Sequence, residues 1–322
     1  MKHRIVALTG GVGGAKLARG LVELLDAEAL RFVVNVGDDF EHLGLRVCPD
    51  LDTLLYTLSG EADPERGWGR RGESWQFLDA LRAYGGPDWF ALGDRDLATH
   101  VLRTRALADG ERLTAVTARL GGALGVRHAM LPATDRDLRT IVETADGPLA
   151  FQQYFVRERC APAVTGFRFD GADTATPTPE VLAALADPAL TGVLICPSNP
   201  FVSIDPILAV PGLREALAAA PAPIVAVSPI IGGEAVKGPT AKMMDELAVP
   251  RRADAVAAHY GVRGADGVLD GFVLDETDAA LADDVRASGL AVTVEPTLMR
   301  DLDDRVALGR AALAFLGELA GP

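Results

Sequence analysis

A chain of 322 residues with 49% hydrophobic content is long enough to bury one large core or two smaller ones, and its formal net charge of -14 excludes a broad nucleic-acid-binding surface. No apolar run approaches the roughly 18 residues of a membrane span, and MKHRIVALTGG enters a strand with no signal-type apolar region, so a cytoplasmic protein with no membrane partner is expected. The odd, scattered cysteines Cys48, Cys160 and Cys196 suggest neither a disulfide framework nor a zinc knuckle and are expected as free thiols.

Arg4 to Leu8, RIVAL, reads as a short strand that ends in Thr9-Gly10-Gly11-Val12-Gly13-Gly14-Ala15-Lys16 and passes into the amphipathic run AKLARGLVELLDA. Strand, glycine-rich turn and helix open a phosphate-binding βα unit, with glycines that let the backbone approach a phosphate and helix amides that point at it. The spacing matches neither G-x-G-x-x-G nor the P-loop pattern, and a tight turn alone would also call for glycines.

RFVVNV predicts a second parallel strand, followed by the stretch Asn35 to Thr53, NVGDDFEHLGLRVCPDLDT. It presents Asp38, Asp39, Asp50 and Asp52 with Arg46 as its one Lys or Arg. Like charges this close are costly unless a cation sits among them, and Mg²⁺ commonly uses one or two carboxylates plus phosphate oxygens. A solvated acidic loop is the competing reading. In a doubly wound sheet ligands bind beyond the carboxyl ends of the strands, so the glycine loop and Asp38/Asp39 should line one crevice.

DTLLYTL predicts a helix with an acidic start, and Asp52 there is expected to cap it and hold Asp50 in place. Arg66, Arg70 and Arg71 stand among glycines with Trp68 and Trp75 nearby, a mixture suited to stacking a flat ring and contacting an anion. The segment Gly93-Asp94-Arg95-Asp96 precedes a helix carrying Thr99, His100 and Arg103; Asp94 or Asp96 is expected to cap it, and the segment is a second candidate ligand wall. AMLPATDRDLRTIVET, LAFQQYFVRERCAP and VTGFRFDGAD predict an antiparallel β-rich insertion near 135–175, in which Gln152, Gln153 and Arg157 could face a ligand but are expected on an exposed strand face. The later strands GVLICPSNP and PIVAVSPIIGG exit through Ser198-Asn199 and Ser228, with Lys237 just after, again the crevice pattern. The whole, 1–322, reads as one α/β unit, a Rossmann-like doubly wound, mostly parallel sheet with that insertion.

The motifs GGVGGAK, NVGDD, CPDLDT, GWGRRGESW, GDRDLATH, CPSNPFVSIDPIL and SPIIGGEAVKGP closely resemble the 2-phospho-L-lactate transferase family, which makes the deazaflavin coenzyme F-420. The resemblance implies a Mg²⁺-dependent transfer from a guanosine-diphosphate-activated donor to the ribityl 5′-hydroxyl of Fo (7,8-didemethyl-8-hydroxy-5-deazariboflavin), with GMP leaving. The donor's acid is phospholactate, phosphoenolpyruvate or phosphoglycerate. It further implies a homodimer. Carried onto this chain, Asp50 and Asp38 are the candidate catalytic residues, and Asp38, Asp39 and Asp50 the candidate metal ligands, with Asp50 open to both roles. Gly11, Val12, Gly13 and Gly14 should meet the donor's nucleotide or phosphates. Trp68, Arg70 and the segment with Asp94, Arg95, Asp96, Thr99 and His100 should border Fo, and Ser198, Asn199, Ser228 and Lys237 should face the guanosine diphosphate.

Two other classes are weighed. Distant relatives of this fold are non-enzymatic nucleotide-sugar-binding regulators, but they resemble ADDGGSSGRLR and PPGDIRN patterns where this chain has GDDFEHLGLRV and CPDLDT. A Rossmann dehydrogenase lacks support, since the loop misses G-x-G-x-x-G and the GDD pair is an odd ribose reader.

Overall fold

The computed structural model describes residues 3–236 and 238–321. The apolar runs form seven strands: β1 (Ile5–Thr9), β2 (Leu30–Val34), β3 (Ala129–Pro132), β4 (Gly192–Ile195), β5 (Ile224–Val227), β6 (Gly271–Asp275) and β7 (Ala291–Glu295). They lie in one sheet of order β3-β2-β1-β4-β5-β6-β7, and every adjacent pair is parallel. β1, β4, β5 and β6 are buried along their whole length, which is why they read as unbroken apolar runs: helices cover both faces, and no polar face is left to alternate. The first six strands follow the doubly wound nucleotide-binding order, with β7 added at the edge. Its topological switch lies between β1 and β4, where a crevice opens beyond the strand ends.

Helix α1 (Gly11–Leu24) leaves β1 through the glycine turn. Between β2 and β3 come a small hairpin, Phe40–His42 with Leu45–Val47, then α2 (Pro49–Ser59) and α3 (Asp94–Ala108). A long helix, α4 (Leu302–Ala320), closes the chain against α1, where the missing Cβ of Gly20 lets the Arg305 carbonyl approach. Between β3 and β4 lies a three-stranded antiparallel sheet, Leu149–Ala150, Arg139–Thr144 and Val164–Asp170. Among the described residues no helix is long and apolar enough to cross a membrane.

Three local expectations change. LAFQQYFVRERCAP pairs as strand only over Leu149–Ala150 and then coils, with a π-type turn over Gln153–Arg157. Its buried apolar residues Phe151 and Tyr154 are three apart, a helical spacing that a short window confuses with alternation. Gln152 is therefore buried, while Gln153 and Arg157 are exposed on a helical turn. Helix α2 begins at Pro49, whose fixed φ suits a first helical position, so Asp52 lies inside the first turn and is no cap. Asp94 likewise sits inside α3; its carboxylate accepts from the Gln76 and Phe77 amides that open a short helix, Gln76–Ala83, while Glu73 accepts from the Arg95 and Asp96 amides of α3. The two acids cap each other's helices.

Candidate active site

A cavity of about 590 Å³ opens at the carboxyl end of the sheet, at the switch between β1 and β4. Its polar floor is built from strand exits. Thr9 ends β1 and leads to Gly10–Gly13; Asn35 follows β2 and leads to Asp38; the turn after β4 brings Ser198 and Asn199, and the turn after β5 brings Ser228.

Asn35 organises this floor. Completely buried, it donates its side-chain amide to Asp38 Oδ1 at 3.0 Å, Asp50 Oδ2 at 2.9 Å and the Val202 carbonyl at 3.1 Å, and it accepts from the Gly37 amide at 2.7 Å. The other oxygen of Asp50 accepts the Gly11 amide at 2.8 Å. Asp50 belongs to the first turn of α2 and Gly11 to the first turn of α1, so one carboxylate joins the openings of two helices. Burial, with the Asp50 charge beside it, pushes the Asp38 carboxyl well above its ordinary range. Burial also raises Asp50, to about 6, although the Asn35 and Gly11 hydrogen bonds pull the other way. Two carboxylates facing one cavity are thus held at a cost that a cation would remove.

That donor set fits Mg²⁺. Asp38 and Asp50 both line the cavity and offer hard oxygen ligands, and a cation bound through two carboxylates completes its shell with water and phosphate oxygens. Among the described residues no cluster of three or more His, Cys, Asp or Glu side chains forms a full protein cage. Asp39 does not join the pair. Its carboxylate turns away to Arg46 Nη2 at 3.2 Å, and it does not line the cavity.

The glycine turn has a reason beyond phosphate approach. A Cβ on Gly10 would stand 2.6 Å from Asp50 Oδ2, one on Gly13 2.4 Å from the Pro197 carbonyl, and one on Gly14 2.2 Å from Thr9 Oγ1. These positions are glycine because neighbouring loops occupy the side-chain space. Ser198 Oγ exchanges hydrogen bonds with the Gly10 amide and carbonyl, and Asn199 Oδ1 accepts from the Phe201 and Val202 amides, so both line the cavity while tying its loops together. Ser228 does the same with Ile230.

The mouth is aromatic. Trp68, Trp89, Phe90, Phe151 and Phe155 line it, with Trp68 and Phe155 notably exposed. Arg66 lines it too and lies over the Trp75 ring, 4.7 Å from its centroid. Arg70 points elsewhere, to Glu61 at 3.1 Å and over Tyr56, and Asp94, Arg95, Asp96, Thr99 and His100 do not reach the cavity. Lys237 lies outside the described residues. Burial pushes the thiols upward, Cys196 to about 12, and none lines the cavity.

Lys16 and Thr297 line the cavity and are not among the expected residues; Gln152, for which a ligand-facing place and an exposed strand face both stood open, lines it too. Lys16 closes the quoted motif GGVGGAK; on α1 it follows the glycine turn and bonds the Met299 carbonyl at 3.1 Å. Thr297 follows the last strand, where no motif marks it.

Comparison with known proteins decides the family. Residues 5–307 match the family model for 2-phospho-L-lactate transferase CofD. The chain belongs to this family. It is accordingly a transferase acting on phosphoryl-type groups in coenzyme F-420 biosynthesis. It is 43% identical over 322 residues to the phosphoenolpyruvate transferase of Nocardia farcinica, an alignment covering 98% of this chain and 95% of that protein. The phosphoenolpyruvate transferase of Streptomyces griseus is 42% identical, covering 98% and 99%. That of Kitasatospora aureofaciens is 44% identical, covering 97% of each. Among solved structures, protein BH3568 of Bacillus halodurans has the same fold, with a TM-score of 0.65 at 17% identity, covering 98% of this chain and 100% of that one.

Proposed function

We propose that this transferase moves the phosphoenolpyruvyl group from a guanosine-diphosphate-activated donor to the ribityl 5′-hydroxyl of Fo, giving the dehydro form of coenzyme F-420-0 and GMP. The single observation that carries the reading is the buried pair Asp38 and Asp50, joined through Asn35 at the switch point of the sheet and facing a cavity with an aromatic mouth. The names of the relatives at 42–44% identity favour phosphoenolpyruvate over the other candidate acids.

In this reading Asp38 and Asp50 hold Mg²⁺. When bound, the ion neutralises phosphate charge, a need that dominates phosphoryl transfer. The chain's own groups do the rest. The Val12 and Gly13 amides, in the first turn of α1, and the Lys16 ammonium face the donor's phosphates. Trp68 and the other aromatic residues of the mouth take the flat deazaflavin and exclude water. The ribityl oxygen forms a bond to the phosphorus bearing the enolpyruvyl ester, the bond from that phosphorus to the GMP oxygen breaks, and the hydroxyl proton passes to the Asp50 carboxylate.

The test is mass spectrometry of Fo incubated with the protein, Mg²⁺ and each guanosine-diphosphate-activated acid in turn. The phosphoenolpyruvate donor should give efficient conversion with release of GMP. Unchanged Fo with all three donors would overturn the proposal.

A further inference from the structure

The segment Asp94 to His100 lies behind the cavity, and its position suggests a different use. The two acidic pairs of the sequence are split the same way. Asp38 and Asp50 face the cavity; Asp39 and Asp52, their near neighbours, face backward, Asp39 to the half-buried Arg46 and Asp52 to the buried Arg103. Asp52, on the same first turn as Asp50, takes both terminal nitrogens of Arg103, with Nη1 to Oδ2 at 3.0 Å and Nη2 to Oδ1. Arg103 comes from α3 and is 2% exposed. Asp39 takes Arg46 of the hairpin.

The two clamps are themselves joined. Arg103 Nη1 reaches the Arg46 carbonyl at 3.4 Å, and the Arg46 amide donates to Thr104 Oγ1 at 2.7 Å, one residue along α3 from Arg103. Below them Tyr56 of α2 donates its hydroxyl to Asp96 at 2.6 Å, and His100 lies 3.3 Å from both Asp96 Oδ1 and Arg103 Nη1. One face of α3 therefore grips both the turn that carries Asp50 and, through the hairpin, the loop that carries Asp38.

We propose that Arg103, with Arg46, is a positioning residue that fixes the spacing of Asp38 and Asp50 and thereby their affinity for a divalent cation. The inference rests on the metal reading given above. A bidentate guanidinium suits the task because it fixes the direction of Asp52 as well as its distance, which a lysine cannot do. Because Asp50 and Asp52 share one helical turn, a rotation that frees Asp52 also swings Asp50 away from Asn35. Groups that orient ligands from behind typically change metal affinity by about 10- to 100-fold when altered.

The experiment measures Mn²⁺ binding by the electron paramagnetic resonance of free Mn²⁺, in wild type, Arg103→Lys, Asp52→Asn and Arg263→Lys. Arg263 makes a comparable two-nitrogen contact with Asp270 at the opposite, amino-terminal end of the strands, so it controls for lost stability alone. Thermal melts set a temperature at which every variant is folded; if Asp52→Asn does not fold, Arg103→Lys carries the test. The proposal predicts that Arg103→Lys weakens Mn²⁺ binding by about tenfold or more while Arg263→Lys matches wild type. A folded Arg103→Lys protein with wild-type affinity would overturn it, as would an equal loss in Arg263→Lys. Wild type that binds no Mn²⁺ would overturn the metal reading itself and this inference with it.

Discussion

Asp38 and Asp50, 12 residues apart in the chain, share one side-chain amide: Asn35 Nδ2 lies 3.0 Å from the first and 2.9 Å from the second. The contact joins the exit of β2 to the first turn of α2, and it leaves one neutral donor between two buried acids. Replacing Asn35 with Ala should strand several buried groups, among them the Gly37 amide, and cost about 1–3 kcal/mol for each left unsatisfied. Urea unfolding should show it as a lower midpoint, with transfer activity lost at temperatures where the protein remains folded. A midpoint equal to wild type would mean that water replaces the amide without cost.

The raised carboxyls give a pH dependence of defined sign. Burial lifts Asp50 to about 6 and Asp38 well above its ordinary range, so both bind protons more readily folded than unfolded. Their contribution to stability is full below the unfolded value of about 4 and is lost as pH rises through about 6 and beyond. In chelator, the melting temperature of wild type should therefore fall more steeply between pH 4 and pH 7 than that of Asp50→Asn. Added Mg²⁺ should raise the melting temperature more at pH 7.5 than at pH 5, because ionised carboxylates bind it. An equal Mg²⁺ effect at both pH values would contradict the assignment of these two residues.

Gly13 tests the glycine turn. An added methyl would meet the Pro197 carbonyl, a backbone atom, at 2.4 Å, so the turn after β4 must move. Gly13→Ala should destabilise by about 1–3 kcal/mol, as overpacking does, and should raise the KM for the nucleotide donor more than that for Fo. Calorimetry and steady-state kinetics separate the two effects. If the glycines served phosphate approach alone, stability would be unchanged.

Trp68 stands at the mouth with 47% of its surface exposed and touches Trp75 edge-on, with centroids 6.3 Å apart. Trp68→Ala should leave the melting temperature nearly unchanged and raise the KM for Fo by about tenfold, the loss of roughly 1.4 kcal/mol of ring stacking, within the range measured for bases on aromatic side chains. An unaltered response to Fo would make this tryptophan part of the loop's packing and nothing more.

The strands and the placement of Asp38 on the cavity were legible in the sequence, because apolar runs bounded by turns mark buried parallel strands and a ligand crevice lies at their ends, whereas Asp50, on a helix, stood out only through the family resemblance. The direction of Asp39 and Asp52 was not. Adjacent and next-but-one acids look alike in a sequence, and what turns Asp52 backward is Arg103, 51 residues away. The same distance hid the role of Asp96, Thr99 and His100, which look like a ligand wall in isolation but serve Tyr56 and Arg103. The helical turn beside Gln152 escaped because a short run with apolar residues at 151, 154 and 155 satisfies both strand and helix patterns, and only packing settles which forms. Thr297 reaches the cavity because β7 lies beside β6, where Asp275 accepts from its amide and hydroxyl at 2.8 Å.

The reaction itself is tested most directly at Asp50. Wild type and Asp50→Asn are incubated with Fo, Mg²⁺ and the guanosine-diphosphate-activated phosphoenolpyruvate donor, and product formation is followed by mass spectrometry. Asparagine keeps the shape and one of the two acceptor oxygens, so it can take the Gly11 amide or Asn35 Nδ2 but not both, and a thermal melt sets a temperature at which the variant is folded. The account predicts that wild type converts Fo and Asp50→Asn falls by at least about a thousandfold, a loss of roughly 4 kcal/mol of transition-state stabilisation. Metal-dependent turnover by folded Asp50→Asn within tenfold of wild type would contradict it.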